Sequence, residues 1–255
     1  MGDYYFTCAT LPTLRLDGEL EISFAELMTL FSMNLSRHDL EKVHIVRRVI
    51  DLRNVLQLLN EEPCDPRGNL SIKELEEALL NKTHLPDYVF EILDNYDNRD
   101  DQIAHFYEII ARFFSEEVAR THGFLRKYLE FERQWRLCMT GYRAKKLGRD
   151  LSKELQFEDF TDPLVAFLLA QKDVPTFEFP YEYRDLGERL QGVDEPADQH
   201  HVMTRYRFEK VVELIDAPEF TIDTLILYMV QLIILEDLAS LNESAGGETL
   251  AQIKG

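Results

Sequence analysis

The feature that most constrains this chain is a run of helical periodicity in its middle. Phe124, Tyr128, Phe131, Trp135, Cys138 and Tyr142 recur at spacings of 4, 3, 4, 3 and 4. Those intervals place all six along one side of an α-helix, so the segment predicts a helix with an apolar stripe and makes the six residues candidate core. The same segment reverses the charge of its surroundings. Between Arg126 and Asp150, eight Lys or Arg stand against three acids, in a chain of formal net charge -19. With the stripe turned inward, the solvent face is cationic and runs into Arg143, Lys145, Lys146 and Arg149. These four are the candidate partner contact, with intramolecular salt bridges as the competing use of a basic face in an acidic protein.

The rest of the chain carries the same period. Ser23 with Glu26, Ser36 with Asp39 and Ser71 with Glu74 have the spacing of helix starts, in which a serine hydroxyl and an acid satisfy the first unpaired amides. Phe24, Leu27, Met28, Phe31 and Leu35 share one face; Leu40, Val43, Val46 and Ile50 carry the next helix to about Asn60. A Pro86 start, a long helix from Ile103 to Val118, and a break at Gly123 follow. Asp162-Pro163 opens another helix. Residues 174–196, rich in Pro and acid, read as an irregular linker between an N-terminal helical region, 1–173, and a C-terminal one, 197–255, which are also able to pack as a single domain. A Gly246-Gly247 pair is expected to precede or interrupt the last short helix. Tyr4 to Leu11 alternates β-forming and small residues and predicts one short strand. The fold class is therefore all-α, a multi-helix bundle with one short N-terminal strand.

Charge and apolar length exclude several classes. The pI near 4.8 repels phosphate backbones, which argues against nucleic acid as partner, and disfavours anionic bilayer surfaces. The longest apolar run, Leu225 to Leu235, is about half of the roughly twenty residues that a membrane span needs, so direct insertion is not expected. The N-terminus lacks a basic flank before its apolar stretch, and Phe6 occupies the place where a myristoylated Gly2 expects Ser or Thr. Three widely separated cysteines, Cys8, Cys64 and Cys138, suit reduced thiols in a cytoplasmic protein.

The motifs that suggest chemistry fail on inspection. Asp65 to Glu76 and Asp97 to Glu108 have the acidic ends of a calcium loop, but Arg67 and Arg99 occupy the third position, and Leu70 and Gln102 replace the turn glycine. His200-His201 points two ways on a helix, and the seven histidines lack zinc spacing. The sequence GYRAKKLG from Gly141 has no Ser or Thr after a Gly-Lys, so it is not a phosphate loop. No catalytic residue, cofactor site or metal site is assigned.

Three segments carry a likeness to a known family: YYFTCATLPTL at the start, QWRLCMTGYRAKKLGRD in the middle, and FTIDTLILYMVQLIILEDLASLNESAGGETL at the end. Through them the chain resembles the small family that accompanies bacterial V-type ATPase operons and is distantly similar to the C subunit of the central stalk, whose eukaryotic counterpart is the d subunit. The resemblance implies a C/d-like, non-catalytic part that couples the soluble rotary shaft to the membrane rotor ring in proton or sodium transport. Its implied partners are the shaft subunits and the ring, and its implied place is cytoplasmic and peripheral to the membrane through the complex. The C subunit itself is longer and built as a three-part funnel, so the likeness implies that one part is reduced or missing; where the family's final long helix tends to end in an Arg-Trp pair, the corresponding place here looks like Glu236-Asp237. A free-standing helical adaptor unrelated to ATPases is the alternative.

Overall fold

Buried positions three and four apart govern the longer helices. The structure, a computed structural model, describes the backbone of residues 4–254 and the side chains of residues 4–240, and among these residues there is no strand. The helices are α1 (Tyr5–Thr10), α2 (Phe24–Asn34), α3 (Arg37–Asn60), α4 (Ile72–Asn81), α5 (Asp87–Asp94), α6 (Arg99–Arg120), α7 (Gly123–Lys146), α8 (Leu151–Glu154), α9 (Pro163–Leu169), α10 (Arg184–Leu190), α11 (Pro196–Glu213) and α12 (Ile222–Lys254), with a 3-10 turn at Tyr181–Tyr183.

The capping logic of the sequence is realised atom by atom. Ser23 and Glu26 form a reciprocal capping box on α2, and Ser71 and Glu74 form another on α4. Asp162 accepts from Leu164 N–H and Val165 N–H to start α9 behind Pro163. Pro86 is the cap of α5 rather than its first residue.

Two compact units result, one from residues 1–40 with 181–255 and one from residues 41–180. In the first, α11 packs on α12, α10 on α11, and α2 on α12. The apolar run beginning at Leu225 is core: Leu225, Ile226, Met229, Leu232 and Ile234 are all buried. No helix among the described residues is long and apolar enough to cross a membrane. Glu236 accepts from Phe24 N–H at 2.7 Å and so closes the start of α2. The second unit is organised by α6 against α7, with α5 on α6 and α8 and α9 on α7.

Three expectations are corrected. The N-terminal strand is helix α1. Tyr4 and Thr7 are buried and Cys8 and Leu11 are partly so, a spacing of helical period, while the aromatic residues that suggested a strand, Tyr5 and Phe6, are exposed. Tyr4 fixes this segment: its hydroxyl donates to Asp39 Oδ2 at 2.5 Å and its N–H to Phe220 O at 2.7 Å. Second, residues 174–196 are not uniformly irregular, because they include the 3-10 turn and α10. Gln171 holds Glu178 by a reciprocal pair of hydrogen bonds, N–H to Oε1 at 2.8 Å and Nε2 to O at 3.0 Å. Third, α12 continues through Gly246 and Gly247 to Lys254. Gly2 and Asp3 lie outside the described residues.

Helix α3 also carries a polar stripe. Arg47, Asp51 and Asn54 lie at helical spacing and grip the loop that enters α4. Arg47 donates to Arg67 O at 2.9 Å and to Gly68 O. Asp51 accepts from Leu70 N–H at 3.1 Å and Asn69 Nδ2 at 2.7 Å, and Asn54 pairs both ways with the Asp65 backbone at 2.8 Å. Burial pushes the Asp51 carboxyl above its usual range, against those hydrogen bonds and the nearby Arg47.

Candidate interaction surface

Helix α7 starts where α6 cannot continue. Gly123 takes a left-handed φ of 61°, which glycine adopts without strain, and the chain breaks between Arg120 and Gly123 as its position predicts. From there the stripe turns inward: Phe124, Tyr128, Phe131 and Cys138 are buried, while Trp135 and Tyr142 are partly covered. Tyr142 meets Phe177 and Phe179 at ring separations of 6.0 and 5.6 Å. The helix buries more than that one stripe, since Leu125, Leu129, Leu137, Met139 and Ala144 are also inside. Leu137 and Ala144 join Leu151, Leu155, Val165 and Leu168 in one cluster with α8 and α9.

The cationic face divides along its length. Arg126 pairs with Glu130 at 2.9 Å within the helix. Arg133 reaches Asp162 at 2.9 Å and Glu158 at 3.6 Å, and Arg136 also pairs with Glu158 while lying over the Phe114 ring. The Glu158 side chain is only 5% exposed. One carboxylate thus serves two guanidinium groups where water is scarce, so these contacts resist salt more than surface pairs do.

Beyond Tyr142 the pattern changes. Arg143, Lys146 and Arg149 are exposed, and Arg149 makes a long pair with Glu154 at 3.7 Å. Lys145 is used internally, donating to Lys172 O at 2.6 Å and Val174 O at 2.8 Å. Gly148, with φ 64°, ends the helix: Arg149 N–H returns to Ala144 O at 2.8 Å and Gly148 N–H to Lys145 O at 3.2 Å. This is a Schellman closure, and it turns the chain sharply so that the last cations stand at a corner with the exposed Leu147. Cations there also oppose the negative end of the helix dipole.

Other candidate sites resolve into local structure. Asp65 holds the Arg67 that follows it, accepting from its N–H at 2.9 Å and its Nη2 at 2.6 Å. Burial alone would raise the Asp65 carboxyl, but the Arg67 hydrogen bonds and charge hold it below its usual range. Arg99 turns back to Glu61. Among the described residues no cluster of three or more His, Cys, Asp or Glu is placed to hold a metal. A cleft of about 620 Å³ in the second unit is lined by Arg112 and Arg133 together with Glu108, Glu130, Glu158 and Asp162, a mixture already engaged largely in its own pairing.

A family described as "Protein of unknown function (DUF2764)" matches residues 1–254. The chain belongs to this family. Among its relatives, an uncharacterized protein of Chlamydia pneumoniae is 32% identical over 222 residues, covering 83% of this chain and 82% of that one. An uncharacterized protein of Chlamydia muridarum is 26% identical, with 89% and 88% of the two chains covered. A third relative, from Chlamydia trachomatis, is 26% identical with 84% and 83% covered. No solved structure matches.

The run of cations Arg143–Arg149 was visible in the sequence, but the turn at Gly148 and the internal use of Lys145 were not. The role of Glu158 and Asp162 as internal counter-ions was not visible either, because they lie 22 and 29 residues from their arginines in sequence.

Proposed function

We propose that this chain is a non-catalytic helical subunit of a V-type ATPase or ATP synthase, coupling the soluble rotary shaft to the membrane rotor ring. The proposal takes its direction from the likeness of the three segments to the operon-associated family. The observation that supports it best is the unequal exposure of the cations on and just after α7: Arg133 and Arg136 are partly buried against carboxylates of their own unit, while Arg143, Lys146 and Arg149 are exposed at the helix end. A part that passes torque must resist bending, and cross-bracing of long packed helices supplies that resistance. The exposed corner supplies a docking charge.

Co-purification from native membranes tests the reading. Recovery of the wild-type chain with the ATPase A and B subunits is expected, and its reproducible absence would instead favour a free-standing helical adaptor. Reversing Arg143, Lys146 and Arg149 to Glu should abolish recovery with helical content unchanged. Lys145 is left intact because its tether to residues 172 and 174 is structural. Undiminished assembly of the triple variant would remove the corner from the interface.

A further inference from the structure

Helix α9 buries one side and leaves the other bare. Val165 and Leu168 are fully buried in the apolar cluster that α9 shares with α7 and α8, and Leu164 and Leu169 are partly buried against it. Pro163, Ala166, Phe167 and Ala170 form the opposite side at helical spacing, and all four are exposed. Phe167 is 39% exposed, and Phe160, three residues ahead of Pro163, is 56% exposed. A surface helix ordinarily turns polar groups to water, and the outer side of this one turns none.

The two ends of the strip carry opposite charge. At its start the exposed Asp159 carboxylate accepts from the Thr161 N–H at 2.8 Å and the Thr161 hydroxyl at 2.7 Å, neutral partners that leave its charge uncancelled. Those bonds, with a smaller contribution from Arg133, hold the carboxyl below its usual range. Asp162 beside it is matched by Arg133 at 2.9 Å. At the other end the Lys172 N–H closes on Leu169 O at 3.1 Å, and its side chain is exposed. Lys145 reaches the same end through the carbonyls of Lys172 and Val174, again neutral partners. Two ammonium groups stand there against the one carboxylate of Asp173.

We infer that this strip is a two-fold contact between two copies of the chain, with α9 of one copy antiparallel to α9 of the other. A two-fold axis sets a surface against itself, so a charge in the middle of the strip would meet its own like; the strip has none. Antiparallel pairing brings Asp159 of each copy to the basic end of the other. Ala166, near the midpoint, lets the helices approach closely, and Phe167 covers the apolar side of the second copy. An anionic bilayer would meet Asp159 and Asp173 with its own sign. The strip is short, so the contact is weak and fills with concentration. The inference is independent of the ATPase reading, because Arg143, Lys146 and Arg149 do not enter it.

The test is sedimentation equilibrium of the full chain over a range of concentrations at about 0.15 M salt, where a screening length of about 8 Å limits repulsion between chains of formal net charge -19. The mass of the wild type should rise with concentration to that of a dimer and stop there. Phe167→Lys should weaken the dimer by about tenfold or more, because symmetry enters the change twice. It makes each chain less negative, so general repulsion does not explain the loss. Phe167→Ser should act in the same direction with an unaltered circular dichroism spectrum, which keeps the test valid if Phe167→Lys fails to fold. Lys172→Glu sets like charges at both ends of the contact and should weaken it about threefold, and adding Asp159→Lys should recover the affinity. A wild type that stays monomeric at every concentration overturns the proposal, as does a dimer indifferent to both Phe167 variants or an association that continues past two. A folded charge swap that recovers no affinity overturns the antiparallel arrangement. Phe167-dependent binding of a monomeric chain to phosphatidylcholine vesicles overturns it in favour of lipid.

Discussion

Gly68→Ala places one methyl group into the polar grip of α3, and the geometry there sets its cost. A Cβ at Gly68 would lie 2.5 Å from Asp51 Oδ1 and 3.1 Å from Asn54 Nδ2. The backbone there is not left-handed, so the penalty is steric contact and not conformation. Asp51 is 2% exposed, and moving Oδ1 breaks its bond from Leu70 N–H with no water to replace it. Loss of a buried hydrogen bond to a charged group costs about 1.5–3 kcal/mol, and overpacking about 1–3 kcal/mol. The two overlap, and alanine returns about 0.4–1 kcal/mol through the unfolded chain. A net loss of about 2–3 kcal/mol is expected. The single tryptophan, Trp135, belongs to the same unit as Gly68, so its fluorescence during urea unfolding reports on the right part of the molecule. In an Asp51→Ala background the clash disappears, and the added cost of Gly68→Ala should fall below about 1 kcal/mol. Equal cost in both backgrounds would refute the assigned contact.

Glu158→Ala should destabilise the second unit by about 3 kcal/mol in the same fluorescence assay, because Arg133 and Arg136 lose a buried counter-ion. Tyr228→Phe removes the bond to Pro12 O at 2.9 Å and should cost about 1 kcal/mol at neutral pH. Burial, with a smaller contribution from Glu21, pushes the Tyr228 hydroxyl from 10.0 up to about 12. The folded state therefore keeps this proton after the unfolded chain has released it, and the group's contribution to stability falls as pH rises from about 10 to about 12. Unfolding titrations at increasing pH should show that decline shallower in Tyr228→Phe.

Local signals in the sequence reached as far as local physics does. Ser23 with Glu26 and Ser71 with Glu74 announce helix starts because both partners of each cap lie within one turn. Gly123 announces a break because its backbone freedom is intrinsic. Tyr4 to Leu11 misled for the same reason: alternating β-formers outweighed the weaker helical face of Tyr4, Thr7, Cys8 and Leu11. Contacts closed over distance left no periodic trace. Arg47 and Asp51 look like ordinary solvent positions on α3 until the loop at Arg67–Leu70 folds over them. At the candidate surface, eight cations were visible in the sequence, but only the three-dimensional structure shows that Arg133 and Arg136 are partly buried while Arg143 and Lys146 are exposed.

The bond from Phe24 N–H to Glu236 joins residues 212 positions apart, and it fixes an order of events during synthesis. Residues 41–180 leave the ribosome as a continuous block and can pack as they emerge. The first forty residues must wait for α12. At elongation rates of about 5–20 residues per second, that interval is on the order of ten seconds or more, during which α2 lacks the cover of α12. Helix α12 thus sets when α2 can finish packing, and a chain truncated before Glu236 is expected to leave the Phe24 N–H without this acceptor.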